Sequence, residues 1–216
     1  MLREIDNGLW VGEAPLRYLG VEMGRRMTVV RLASGELWLH SVAPLDDQLR
    51  RELDELGPVR HVVPASNLHG HLWMEQYAGA ARYAAAGLRE KRPDLAFAGD
   101  VPNELWADEL GQEVFRGHRM LEEVVFLHRP TRSLIVGDTY FNFGPDAPLR
   151  TRLFTGAPGP TRLFRLAVRD RAAARASVEW ILALDFDRIV TGHGDIVESG
   201  GRQAFARGWQ WLSQGR

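Results

Sequence analysis

Residues 122–142 read EEVVFLHRPTRSLIVGDTYFN. Two apolar, β-branched runs, 122–128 and 133–138, flank the turn Arg129-Pro130-Thr131-Arg132, so the stretch predicts a pair of strands. The second run is apolar without alternation, the pattern of a strand covered on both faces. It ends on Gly137-Asp138, which sets a carboxylate at the mouth of a buried strand. Further on, FDRIVTGHGDIVESGGR at 186–202 repeats the device, with a short strand, DRIVT, turning at Gly192-His193-Gly194-Asp195. Loops at the ends of such strands are where layered α/β proteins gather their binding groups.

Toward the N-terminus, TVVRLASGELWLHS at 28–41 predicts a hairpin turning at Ser34-Gly35. In LDDQLRRELDEL, Leu45, Leu49, Leu53 and Leu56 share a helical stripe that Gly57-Pro58 stops. VRHVV at 59–63 reads as a strand, PASNLHGHLWMEQY at 64–77 as a loop, and 73–82 as a helix. Gly and Pro break the pattern between 87 and 116, where little structure is expected. Residues 140–160 read as a surface connection bordering a pocket. Asp170 is placed to cap a helix with Ala174, Val178, Ile181 and Leu182 on one face. Phe205, Trp209 and Leu212 mark a C-terminal amphipathic helix docking on the core. Hairpins followed by alternating strands and helices indicate an α/β layered fold with mixed sheet pairing. At 216 residues the expectation is one domain spanning 1–216.

Composition narrows the function. With 27 Lys+Arg against 28 Asp+Glu, no global field draws the chain to nucleic acid or an acidic membrane. There is no cysteine, so thiolate sites and thiol nucleophiles are excluded and any metal falls to histidine and carboxylate. The opening MLREIDNGLWVGEAP lacks a signal peptide's apolar core, and no run approaches the ~18 apolar residues of a membrane span. The expectation is a cytoplasmic protein that meets a small-molecule substrate; nothing in the sequence sets its oligomeric state.

Three features remain for chemistry: His69-Gly70-His71, Gly137-Asp138 and Gly192-His193-Gly194-Asp195. Imidazoles one residue apart on a loop can both turn to a cation, and a carboxylate from another strand completes a tetrahedral set. Each also has a plain alternative: loop histidines capping a helix, an aspartate capping a turn, a glycine-permitted tight bend. Trp73 and Trp106 lie near these loops, though tryptophans more often fill cores. His40, His61 and His128 fall in strand patterns and read as packing or surface residues. No GxSxG elbow is present, which disfavours a serine hydrolase.

In this order the motifs resemble the metallo-β-lactamase superfamily, whose signature is a Thr-His-x-His-x-Asp-His loop, a distal Gly-His, a Gly-Asp after an apolar strand, and a late Gly-His-Gly. The resemblance spans residues 8–213 and implies an αββα sandwich with two mixed β-sheets between helices. Gly117-His118 resembles the distal Gly-His, Asp138 the bridging aspartate, and His193 the last histidine. The loop departs from the pattern. If His69 and His71 match its first two histidines, Trp73 and Met74 occupy the Asp-His positions. Slid back by two, Asn67 and His69 take the histidine positions, with His71 and Leu72 at the Asp-His pair. Either register removes that pair, so one mononuclear or rearranged site is implied. Leu39-His40-Ser41 likewise stands where the superfamily has Asp-Thr-Gly. The runs at 122–142 and 186–202 are also similar to a bacterial branch in which the distal histidine is dispensable.

The resemblance implies a metal-dependent hydrolase holding a divalent cation, zinc or else iron or manganese, through His69, His71, His118, Asp138 and His193. Asp138 would orient or deprotonate the attacking water on an ester, lactone, thioester, amide or phosphodiester. Two alternatives stay open: a degenerate sandwich that binds without catalysis, and an iron oxidoreductase, whose expected loop glutamate is absent.

Overall fold

Alternating apolar side chains build two sheets in the computed structural model, which describes residues 1–68 and 70–213. Strands β1 (Arg3–Asp6) and β2 (Leu9–Ala14) pair antiparallel, and a short ribbon, β3 (Arg17–Tyr18) with β4 (Val21–Glu22), follows. The expected hairpin is β5 (Arg25–Arg31) with β6 (Leu37–His40), in register Val30 opposite Trp38. Helix α1 (Asp47–Leu56) starts at Asp46, whose carboxylate accepts the Leu49 N–H, and stops at Gly57. Then come β7 (Val59–Val63), β8 (Ala81–Ala84), α2 (Leu88–Lys91) and β9 (Gly99–Asp100). The first sheet runs β1-β2-β5-β6-β7-β8-β9, antiparallel as far as β6 and parallel beyond it.

The second sheet contains β10 (Leu110–Phe115), β11 (Glu123–His128), β12 (Ser133–Val136) and β13 (Arg188–Thr191), in that order. Its first three strands are antiparallel, and β13 lies parallel to β12. Between β12 and β13 the chain forms α3 (Leu149–Thr155), α4 (Arg162–Ala167) and α5 (Arg171–Ala183); α6 (Gly201–Trp209) closes it.

Strand parity explains the layers. Leu9, Val11, Val30, Trp38 and Val63 of the first sheet meet Val124, Phe126, Ile135 and Val190 of the second in one buried cluster. Their neighbours point outward: Val29, Leu39 and Val62 toward Leu49 and Leu53 of α1, and Val125, Leu127, Val136 and Ile189 toward α5 and α6. The result is the expected αββα sandwich with two mixed sheets. None of the helices among the described residues is long and apolar enough to cross a membrane.

Three sequence expectations need correction. Residues 140–160, read as an extended surface connection, hold helix α3 at Leu149–Thr155. Residues 73–82 do not form a helix; a single 3-10 turn, Met74–Gln76, leads into β8. Alanine-rich composition favours a helix, but Ala81 and Arg82 pair with His61 and Val62 of β7, and Tyr83 is buried between the sheets. Tertiary pairing overrides propensity here. The region 87–116, expected to hold little structure, contains the six-residue β10, paired along its length with β11.

The sheets are tied at one end by Arg26. Its backbone N–H donates to the Gly192 carbonyl at 2.9 Å, and its buried guanidinium donates to the Thr191 carbonyl and hydroxyl at 2.7 and 2.8 Å and to Glu13 at 2.8 Å. This seam lies where the loops after β12 and β13 emerge.

Candidate metal centre

Strand β12 ends in Gly137-Asp138, and its parallel neighbour β13 ends in Gly192-His193, so the two loops leave the sheet side by side. His193 Nε2 lies 3.6 Å from Asp138 Oδ1, beyond hydrogen-bond range. The other nitrogen, Nδ1, is 2.6 Å from the Gly24 carbonyl, which can only accept, so Nδ1 carries a proton and, in the neutral ring, Nε2 has the lone pair. Phe141 stacks on the ring at 5.1 Å, with an interplanar angle of 8°. Both side chains are buried.

Glu123, which the sequence reading passed over, sets the Asp138 loop. Fully buried at the start of β11, it accepts the N–H groups of Gly137, Asp138 and Thr139 and the Thr139 hydroxyl, at 2.5–2.9 Å. Burial, and then the charge of Asp138, push its carboxyl up to about 7, against these hydrogen bonds. Two adjacent glutamates open this strand, and alternation buries one of them; that was the available signal. Arg25, also unremarked, is buried, donates to Ser41 Oγ at 2.9 Å and lies 4.7 Å over the Trp73 ring. Burial lowers the guanidinium to about 10, while the fields of Tyr77 and Asp138 oppose the shift.

His118 joins Asp138 and His193 around a pocket of about 440 Å³, whose walls include Leu72, Leu121, Phe154 and Phe164. Its Nδ1 accepts the backbone N–H groups of Met120 and Leu121 at 3.2 and 3.0 Å. His71 is not among the pocket-lining residues. Its Nε2 is 3.1 Å from the Leu68 carbonyl and its Nδ1 3.3 Å from the Arg92 guanidinium, so both nitrogens are engaged. Burial, with Lys91 and Arg92 alongside, pushes this imidazole down to about 4. His69 lies outside the described residues. Neither tryptophan lines the pocket: Trp106 fills the inter-sheet core and Trp73 lies under Arg25. His40, in the Leu39-His40-Ser41 run, is fully buried and stacks on Trp38 with an interplanar angle of 5°.

The described donors suit a divalent cation in part. An imidazole lone pair and a carboxylate oxygen both bound to zinc at ~2.0–2.1 Å would stand roughly 3.4 Å apart at the tetrahedral angle. The observed 3.6 Å is close to that. Among the described residues, however, no group of three His, Asp or Glu side chains is close enough to hold a metal ion.

No protein-family model and no curated protein matches this sequence. Solved structures do match over nearly the whole chain, and they give it the fold of the metallo-β-lactamase superfamily. A metallo-β-lactamase from Erythrobacter litoralis is 16% identical with a TM-score of 0.68, covering 99% of this chain and 96% of its own. One from Pontibacter korlensis is 14% identical with a TM-score of 0.67, covering 100% and 99%. FIM-1 from Pseudomonas aeruginosa, solved in a mono-zinc form, is 14% identical with a TM-score of 0.64, covering 99% and 95%.

Proposed function

We propose that the chain is a hydrolase of small molecules, cleaving an ester, lactone, thioester, amide or phosphodiester at a site built for one divalent cation. The observation that carries this reading is the His193–Asp138 pair: a lone pair fixed by Gly24 and a carboxylate oxygen, 3.6 Å apart, on the wall of an apolar pocket. Asp138 and His193 would hold the cation, with His69 as a third ligand on the sequence reading alone. The mono-zinc form of FIM-1 supports a one-metal reading, and the imidazole and carboxylate donors suit zinc, manganese or iron. A divalent cation supplies Lewis acidity and a water of lowered pKa. Asp138 would also orient the attacking water and take up its proton. His193 keeps its Nε2 aimed inward because Gly24 holds the far side of the ring, the outer-shell arrangement common among metal-binding histidines. The leucine and phenylalanine walls make the surroundings of these groups less polar, which strengthens charge interactions beside them.

Metal analysis of protein purified without a histidine tag is the first test, with about one zinc, manganese or iron per chain expected. Asp138→Ala and His193→Ala should each lose the metal and all turnover of ester, lactone or phosphodiester substrates. Metal content unaffected by either substitution overturns the reading. A second reading, a sandwich that binds a pocket ligand without turning it over, draws support from the loop sequence, in which neither register supplies the Asp-His pair. Ligand binding by metal-free protein, with no turnover across the panel, selects it.

A further inference from the structure

The two imidazoles on the pocket wall have opposite polarity. A neutral imidazole has one N–H and one lone pair, and a neighbour's hydrogen bond decides which nitrogen has which. In the neutral His193 ring, the Gly24 carbonyl requires that the one proton sit on Nδ1. In His118, the amide N–H groups of Met120 and Leu121 both require a lone pair on Nδ1, which leaves the proton on Nε2. Turning the His118 ring over would set Cδ2–H against both amides.

The ring is also held in place. Phe164 packs against it with centroids 4.4 Å apart. The turn beneath is pinned by hydrogen bonds from Arg119 N–H to the Ala167 carbonyl and from Arg169 and Asp170 N–H to the Gly117 carbonyl. Gly117 has φ +89°, and a Cβ there would collide with the Asp170 carbonyl oxygen. No described group forms a hydrogen bond with Nε2, while the ring itself lines the pocket with Asp138 and His193. A cation seeks lone pairs, so His118 is a poor ligand in this arrangement. It is a good partner for an oxygen acceptor.

The remaining lining says what carries that oxygen. Leu72, Leu121, Phe154, Leu163 and Phe164 make the wall beside His118 apolar, and about 440 Å³ is the volume of a small-ligand site. We propose that His118 serves the substrate rather than the cation: its Nε2–H donates to the carbonyl oxygen of an acyl compound whose alkyl or aromatic acyl group fills this wall. The acyl substrate rests on the hydrolase reading; the state of the imidazole does not.

Two substitutions separate the functions of the ring. His118→Asn keeps an acceptor near Nδ1 and removes the donor, while His118→Gln restores an N–H near Nε2 and gives up the turn. In metal-free protein, ¹⁵N–¹H correlation spectra of the histidines should show His118 protonated on Nε2; protonation on Nδ1 overturns the proposal. Metal content should survive His118→Asn, and its loss there, as in His193→Ala, overturns it as well. With 4-nitrophenyl hexanoate, kcat/KM should fall about 10²-fold in His118→Asn and recover in part in His118→Gln, as for loss of one oxyanion donor. Lengthening the acyl chain from acetate to hexanoate should raise kcat/KM about fourfold per methylene, and a flat series overturns the acyl assignment.

If no metal binds and no ester is cleaved, the hydrolase reading fails and a non-reactive probe still tests His118. The ketone 2-octanone should shift the His118 Nε2–H resonance and bind roughly tenfold more weakly to His118→Asn. Equal binding to both proteins overturns the donor role.

Discussion

Asp138 owes its position to a residue that never meets the pocket. Glu123 gathers four donors from the three residues around that aspartate. Glu123→Ala leaves buried N–H groups without an acceptor, so we expect a loss of about 3 kcal/mol or more, read as a fall in the urea midpoint with little change in slope. A loss under about 1 kcal/mol would mean that the loop holds itself. At this scale the sequence was legible in some residues and not in others. The placement of Asp138 and His193 at the ends of neighbouring strands could be read, because glycine breaks an apolar strand just before each. His71 could not, because spacing says that two imidazoles can converge and says nothing of a competing partner. Arg92, from the end of a helix 21 residues on, takes its Nδ1 instead. Glu123 was hidden because only the burial of its strand face gives its carboxylate a task.

Among the elements, the turn after β13 is tightly constrained. Gly194 has φ +79°, and a Cβ there would run into the Asn142 carbonyl oxygen, to which the Asp195 N–H is bonded at 2.5 Å. Asp195 in turn accepts the Gly144 N–H at 3.0 Å. Gly194→Ala should therefore cost about 3 kcal/mol from left-handed strain and backbone collision, and displace His193. Thermal melting reads the first effect and metal affinity the second; a variant that melts with the wild type refutes both. Strands with strong alternation and helices with caps were plain from sequence, as with the β5–β6 hairpin, α1 and α5. Strand β8 was not, because alanines carry a helix signal locally and its pairing with β7 is visible only across the fold.

For the whole molecule, the buried histidines away from the pocket set a pH limit. His40, fully buried with the Arg25 cation nearby, is pushed down to about 3, and His128, buried and opposed only by Asp6, to about 4. Both are neutral in the fold and titrate near 6.5 when unfolded. Lowered folded pKa values favour the native state above pH 6.5, and that advantage is lost as pH falls toward 4, by up to about 1.4 kcal/mol per pH unit for each group. Urea midpoints between pH 7 and 4.5 should fall accordingly, and less steeply in His40→Phe. A midpoint flat with pH would contradict the neutral assignment.

The hydrogen bond from His193 to Gly24 joins residues 169 positions apart. We expect closure of so long a loop to come late in folding, since chain entropy is spent before such contacts repay it. Neither sheet alone has the whole arrangement: one contributes the strand that carries the imidazole, and the chain leading into the other supplies the carbonyl that sets its tautomer. Competence for ligand should thus emerge with the slowest refolding phase, and the pocket becomes a reporter of chain closure in time as well as of chemistry at rest.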